Sequence, residues 1–276
     1  MGAIVGVHGI GKYKYYKAAG CSATGAADAM RLKWDRYLHA ALGKAGSREA
    51  AYITEVAYFA HLLRDGRDDG DDETPVPPER MDAGTQRFFV SWAKEAGLGE
   101  QLTGALSAFT GWLLRRPAAA AFALRFVPEV ATYLTDEARR ADCQATVAEV
   151  IRRNRPKVVI AHSLGSVVTY ETLWANPDLD VDLLITLGSP LGMRNVVFEH
   201  LLPAPINGRG ERPKGVRRWV NIADRHDIAA IPPQLAGCFT GVDLEQLVNL
   251  DWLDFHTVEK YLGCGVLNDH LRPYLA

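Results

Sequence analysis

An α/β fold is predicted for this chain, with a mostly parallel central sheet covered by helices on both faces and a helical insertion or cap. Three observations carry that prediction. Short apolar, β-branched runs recur, at AIVGV (3–7), AYITEVAYF (51–59), KVVIA (157–161), VDLLITLG (181–188) and VRRWVNIA (216–223). Segments of helical spacing lie between them, and alternating strands and helices are the pattern of a parallel sheet covered on both sides. The 276 residues are 48% apolar and 23% charged, which is enough to bury one large core. The whole chain, 1–276, is therefore expected to form one domain, with about 84–134 as the insertion within it.

The elements follow in order. AIVGV is bounded by glycine and reads as a buried strand. Residues 23–42 read as a helix, because Met30, Trp34, Tyr37, Leu38 and Leu42 fall near helical spacing. AYITEVAYF is the next strand. The stretch 65–79, DGRDDGDDETPVPPE, has almost nothing to bury and reads as a solvated loop. Its acidic run lacks the spacing and terminal Glu of a calcium loop. Within 84–134, Leu102, Leu106, Phe109 and Leu113 recur at i, i+4, i+7 and i+11. Pro117 suits the opening of a second helix, with Phe122, Phe126, Val130 and Leu134 on one face. These apolar faces suit either core packing or a cap over a site. A further helix over 136–154 ends in RRNRPK, a basic ending favoured at a helix C-terminus.

Bulk charge excludes some functions. The net charge is −2, from 31 basic and 33 acidic residues, without the basic excess of a nucleic-acid binder. The four cysteines form no C-x-x-C pair, so neither a zinc ribbon nor a redox pair is expected. No metal and no cofactor is predicted. The most apolar stretch, 117–127, contains Arg125 and is followed by Pro128, too short and interrupted for a transmembrane segment. The first residues run straight into a strand without the features of a secretory leader, and a cytoplasmic location is the expectation.

GVHGIGKY (6–13) admits two readings. Gly6, Gly11 and Lys12 fit the phosphate-loop pattern G-x-x-x-x-G-K-[ST], but Tyr13 occupies the final Ser/Thr position. No strand ending in a magnesium-holding Asp supports that pattern, and YKYYKAAG is a poor start for the helix it needs. The alternative is a strand that ends in a His-Gly loop.

VVIAHSLGS favours the second reading. A strand runs into Ala161-His162-Ser163-Leu164-Gly165, and a helical pattern follows at once. This is a nucleophile elbow, a turn so tight that the residues two before and two after the serine must be small. A serine needs a base, and the base needs a carboxylate to fix its tautomer. Downstream, Asp224 and Asp227 follow the strand at 216–223. Asp227 is preferred as the acid, and a loop-capping role suits Asp224. Of the histidines after the acid, His256 falls in LDWLDFHTVEKYL, which reads as a helix. His270 opens the last short helix and is preferred as the base, with His256 the alternative. His162 reads as a packing residue. Ser189 suits either a turn or the lining of a pocket.

Together VHGIG, AHSLGS, LITLGSPLG, NIADRHDIAAIPP and NDHLRPYL resemble an α/β-hydrolase of the lipase/esterase type, over 3–11 and about 156–276. Ala161 stands where the family usually has Gly, and residues 12–135 align with nothing in it. The resemblance implies Ser163 as nucleophile, Asp227 as acid and His270 as base. It implies an oxyanion hole from the backbone N–H groups of Ile10 and Leu164, supported by His8, Gly9 and Gly11. The implied chemistry is cleavage of a carboxylic ester or thioester through an acyl-enzyme. The expected partner is a small molecule, a hydrophobic acyl or ester substrate. An acyltransferase or cyclase with the same residues, and a non-catalytic hydrolase-like binding protein, are the alternatives.

Overall fold

The computed structural model describes residues 4–42, 51–64, 81–98, 117–250 and 256–275. The predicted loop at 65–79 and the helical positions Leu102, Leu106, Phe109 and Leu113 lie outside the described residues.

Six strands form one sheet: β1 (Ile4–Val7), β2 (Ile53–Ala57), β3 (Val158–His162), β4 (Val181–Leu187), β6 (Val216–Asp224) and β8 (Leu244–Val248). They lie in the order β2-β1-β3-β4-β6-β8, and every pair is parallel. A small separate pairing joins β5 (Gly210–Glu211) and β7 (Phe239–Thr240). The sequence pattern misses β8, LEQLV, for a physical reason. It is an edge strand, half-buried along its whole length, and carries Glu and Gln rather than an apolar run.

Helices cover both faces of the sheet. On one side pack α3 (Ala83–Ala93), α4 (Pro117–Thr135), α5 (Glu137–Asn154) and α6 (Leu164–Ala175). On the other pack α2 (Ala23–Leu42), α7 (Val258–Gly263) and α8 (Asn268–Leu271). Alternate strand residues feed the two cores: Val5, Val159 and Leu184 the first, Ile4, Val158, Ile160 and Ile185 the second. Gly6 lies inside β1. A Cβ there would sit 2.7 Å from the Trp34 ring, so its absence is what lets α2 pack flat on the strand.

The predicted face of the helix that Pro117 opens is found. Phe126, Val130 and Leu134 of α4 are buried, and Phe122 is half-buried against the same core. Asp136 caps α5, accepting from the Arg139 N–H at 3.1 Å. One expectation fails. YKYYKA forms the short helix α1 (Tyr13–Ala18), although it buries no residue. Tyr16 stacks on His61 with ring centroids 5.0 Å apart, and Tyr13 tilts against Tyr16 at 5.7 Å. Aromatic contacts, rather than an apolar stripe, hold this turn. Among the described residues, no helix is long and apolar enough to cross a membrane.

A buried polar knot fixes α6, the helix that leaves Ser163. Glu171 on α6 accepts from Arg140 of α5 through two nitrogens, from the Tyr133 hydroxyl of α4 at 2.6 Å, and from the Leu202 N–H at 3.0 Å. Removing the carboxylate strands a buried guanidinium. Glu171→Ala is expected to cost about 3–5 kcal/mol in urea unfolding, and Glu171→Gln less. A loss for Glu171→Ala below about 1 kcal/mol, the range of an exposed pair, would show that the knot does not anchor the helix.

Candidate active site

In an all-parallel sheet the strands end at one edge, so the loops carrying the sequence motifs meet there. The strand order reverses between β1 and β3, because the chain goes from β1 to β2 on one side and later to β3 on the other. A crevice opens at such a switch point and is where open α/β sheets bind ligands. Register makes the placement specific. Val7 pairs with Ala161, and His162 pairs with Leu187. Continuing one or two residues brings Gly9, Ser163 and Gly188 side by side.

Three glycines are required here by contact. A Cβ on Gly9 would lie 2.5 Å from the Ser163 Cβ. One on Gly165 would lie 2.3 Å from the His8 carbonyl oxygen, and one on Gly188 2.7 Å from Asp227 Oδ2. Ser163 itself takes φ 55°, ψ −131°, a strained conformation for a residue with a side chain. The surrounding backbone enforces it. The Ser163 N–H donates to the Leu187 carbonyl at 2.9 Å, and its own carbonyl accepts from the Ser166 N–H at 2.9 Å and Oγ at 2.6 Å.

A continuous hydrogen-bond chain ends at Ser163. His256 Nε2 lies 2.7 Å from Ser163 Oγ, and His256 Nδ1 lies 2.7 and 2.9 Å from the two oxygens of Asp227. An ionised carboxylate only accepts, so the proton sits on Nδ1 and Nε2 is free to accept from the serine. Asp227 is held in turn by the Ala229 N–H at 2.9 Å and the Tyr261 hydroxyl at 2.8 Å. Tyr261 also accepts from the Asp224 N–H at 2.8 Å, tying the acid loop to α7. Burial, and after it Asp227, keep the Tyr261 hydroxyl well above its ordinary range, so it stays a donor. Chemically, the arrangement can draw the proton from a buried serine hydroxyl and stabilise the imidazolium that results.

The preference for His270 over His256 is corrected by this geometry. His270 lies in α8 with Nε2 3.4 Å from Gln246 Oε1, and makes no hydrogen bond to Ser163 or Asp227. The cause is a helix boundary. LDWLDFHTVEKYL reads as one helix, but α7 begins only at Val258, with Thr257 as its N-cap, and His256 stands in the turn before it. Asp224 has the loop-capping role read for it, accepting from the His226 N–H at 2.7 Å and from the Leu250 N–H. Ser189 takes its turn role, its Oγ accepting from the Leu191 N–H at 3.3 Å.

The first loop is fixed by His8. Its Nδ1 donates to the Gly9 carbonyl at 2.6 Å and its Nε2 accepts from the Phe59 N–H at 3.0 Å. Burial lowers its pKa to about 3, so it stays neutral in that tautomer. Among the described residues, neither the Ile10 nor the Leu164 N–H is engaged by another group. The Gly11 N–H donates to both oxygens of Glu129, at 3.0 and 3.1 Å. This disposes of the phosphate-loop pattern. Its first glycine is a core strand residue, and its second gives its N–H to a protein carboxylate.

Compared with models of known families, with curated proteins and with solved structures, the chain finds no match. The site is accordingly argued from its own geometry. Three residues around it, Tyr261, Glu129 and Trp92, carry no signal in the sequence, and a fourth, Phe122, is legible there only as part of an apolar helix face. Tyr261 and Glu129 are described above. Phe122 of α4 sets its ring edgewise on His256 with centroids 4.8 Å apart, and Trp92 of α3 donates its indole N–H to the Ile228 carbonyl at 3.1 Å. His162 is a packing residue, with its ring 4.8 Å from that of His256. Burial first, then His256, hold its pKa well below the ordinary value, so it remains uncharged.

The close approach at Gly165 is directly testable. Gly165→Ala is expected to push the β1 loop off the elbow and cost at least about 1–3 kcal/mol, as overpacking does. Thermal unfolding measures it. A variant as stable as the wild type would mean that the two backbones are not as close as described.

Proposed function

We propose that this protein is a serine hydrolase of the α/β-hydrolase type that cleaves an ester-like bond, a carboxylic ester or a thioester. The observation that carries the reading is the Asp227–His256–Ser163 hydrogen-bond chain, set on a strained strand-to-helix turn at a topological switch point. Further support comes from the order Ser163, Asp227, His256 along the chain, which is the order of that fold. The half-buried Ile10, Phe122 and Ile228 near these groups favour a substrate with a hydrophobic acyl or alcohol part.

In this reading Ser163 Oγ attacks the carbonyl carbon while His256 Nε2 takes its proton. The charge that appears on the carbonyl oxygen is received by the Ile10 and Leu164 N–H groups, at the start of α6 where negative charge is favoured. His256 then gives its proton to the leaving alcohol or thiol as the carbonyl carbon releases it, and Ser163 holds the acyl group. Water, deprotonated by His256, attacks the acyl-enzyme and frees the acid. Asp227 stays ionised and keeps the imidazole in place.

A fluorophosphonate probe is expected to label the wild type and not Ser163→Ala. Labelling that persists in Ser163→Ala, or none in the wild type, would overturn the reading. Turnover of short p-nitrophenyl esters is expected to fall by about 10⁴-fold or more in His256→Ala, with Asp227→Asn losing on the order of 10⁴-fold. His270→Ala should stay within a few-fold of wild type per folded molecule. The reverse ranking of the two histidine variants would contradict the geometry.

A further inference from the structure

We propose that Glu129, carried by the insertion helix α4, is a positioning residue of the site. Its carboxylate holds the Ile10–Gly11 turn in the shape that presents the Ile10 N–H to the reacting carbonyl oxygen. The proposal rests on Ser163 being the nucleophile.

The argument starts from what holds that turn. Gly11 has φ +69°, a left-handed conformation, yet a Cβ placed there would meet nothing within 4 Å. A side chain would have room there, so no close neighbour demands a glycine at this position. Hydrogen bonds hold the turn. The His8 ring holds the Gly9 carbonyl, the Tyr58 hydroxyl donates to the Lys12 carbonyl at 3.0 Å, and between them Glu129 takes the Gly11 N–H with both oxygens. The Ile10 N–H belongs to the peptide whose carbonyl, that of Gly9, the His8 ring holds, and Glu129 orients the next peptide, from Ile10 to Gly11, so the two ties fix the turn from either side of Ile10. A small rotation here swings that N–H away from where charge develops, and a misdirected donor forfeits most of its effect.

Of these ties, only the one to Glu129 changes charge near neutral pH. Burial keeps His8 neutral and raises the Tyr58 hydroxyl above its ordinary range. Burial pushes Glu129 up to about 7, against the opposing pull of the Gly11 N–H, Arg64, Lys12 and Arg125. The groups that face it are Lys12 from its own loop, Arg64 from beyond β2, Arg125 one helical turn back, Tyr58, and Cys143 on α5. Lys12 is itself lowered to about 8, mainly by burial. A carboxylate accepts a hydrogen bond more strongly than a carboxylic acid. The turn is therefore held best above pH 7.

Stability runs the opposite way. A carboxyl whose folded pKa is raised stabilises the fold below its unfolded value of 4.5, and that contribution is lost as pH rises through about 7. Glu129→Gln, which keeps an acceptor but no charge, should thus become more stable relative to the wild type as pH rises, while becoming less active. A residue that merely supports the fold would move both quantities together.

The test is the rate of Ser163 labelling by an uncharged fluorophosphonate, with melting temperature, between pH 5.5 and 8.5. The wild-type rate is expected to exceed that of Glu129→Gln by about tenfold at pH 8.5 and to approach it at pH 5.5. For ester turnover the difference should appear in kcat and not in KM, and Glu129→Asp should recover part of it. A rate ratio that does not vary with pH, or rate and melting temperature falling together, overturns the assignment. A measurement on the wild type needs no variant. In protein labelled with 15N-glycine, the Gly11 amide resonance should shift with a midpoint near pH 7, and a resonance that stays put overturns the proposal. If Ser163→Ala is labelled like the wild type, the hydrolase reading itself fails. A Ser163-dependent label with a pH-independent ratio overturns the Glu129 assignment alone.

Discussion

The close approach of two backbones at the ends of β1 and β3 sets the conditions for everything else at this edge of the sheet. Ser163 is exposed to its partners only because the chain turns sharply there, and the turn has room only because Gly9 and Gly165 have no side chains. The approach also has a chemical consequence. It brings the N–H-bearing loop after β1 into contact with the residue that bears the hydroxyl, and it does so through strand register rather than through flexible side chains. The same register places Gly188 beside Ser163, and the missing side chain of Gly188 leaves the space that Asp227 fills. The acid is therefore seated by a strand it does not belong to.

Onto this frame α3 and α4 add one contact for each of these loops. Trp92 of α3 holds the Ile228 carbonyl in the acid loop, Phe122 of α4 lies against His256, and Glu129 of α4 holds Gly11. Under the proposed function, α3 and α4 would thus help to orient the reacting groups. Because α4 touches both His256 and the Gly11 turn, a displacement of this helix would disturb both ends of the proposed reaction together.

What was legible in the sequence follows from which interactions are local. The strands β1, β3, β4 and β6 are buried on both faces and so read as apolar runs, and the elbow is a tight turn whose demands fall on five consecutive residues. Asp227 could be chosen because the stretch from it to Pro232-Pro233 resembles the acid loop of lipases. His256 could not, because the choice depended on where a helix begins, and the helical spacing of LDWLDFHTVEKYL continues through a boundary that Thr257 sets. The half-buried edge strand β8 lacks an apolar run. Glu129 and Tyr261 act across the fold, and a single glutamate or tyrosine on a helix leaves no mark of what it will face. The site's local parts were readable, and its long-range partners were not.

The surroundings of Ser163 also explain why, in the proposed reaction, one histidine and not another would take the role of base. His8, His162 and His256 all lie close to it. His8 has both ring nitrogens committed to backbone groups and is neutral through burial. His162 is equally buried and, among the described residues, has no hydrogen-bond partner for either nitrogen, so a proton there would create an uncompensated charge. Only His256 faces a carboxylate, and that carboxylate is itself secured by an N–H and a tyrosine hydroxyl. In a low-dielectric site a positive charge can form only where a negative one is already fixed. The two silent histidines therefore serve the third by remaining uncharged. A cation on either would repel the imidazolium that the proposed reaction forms on His256, and burial opposes it.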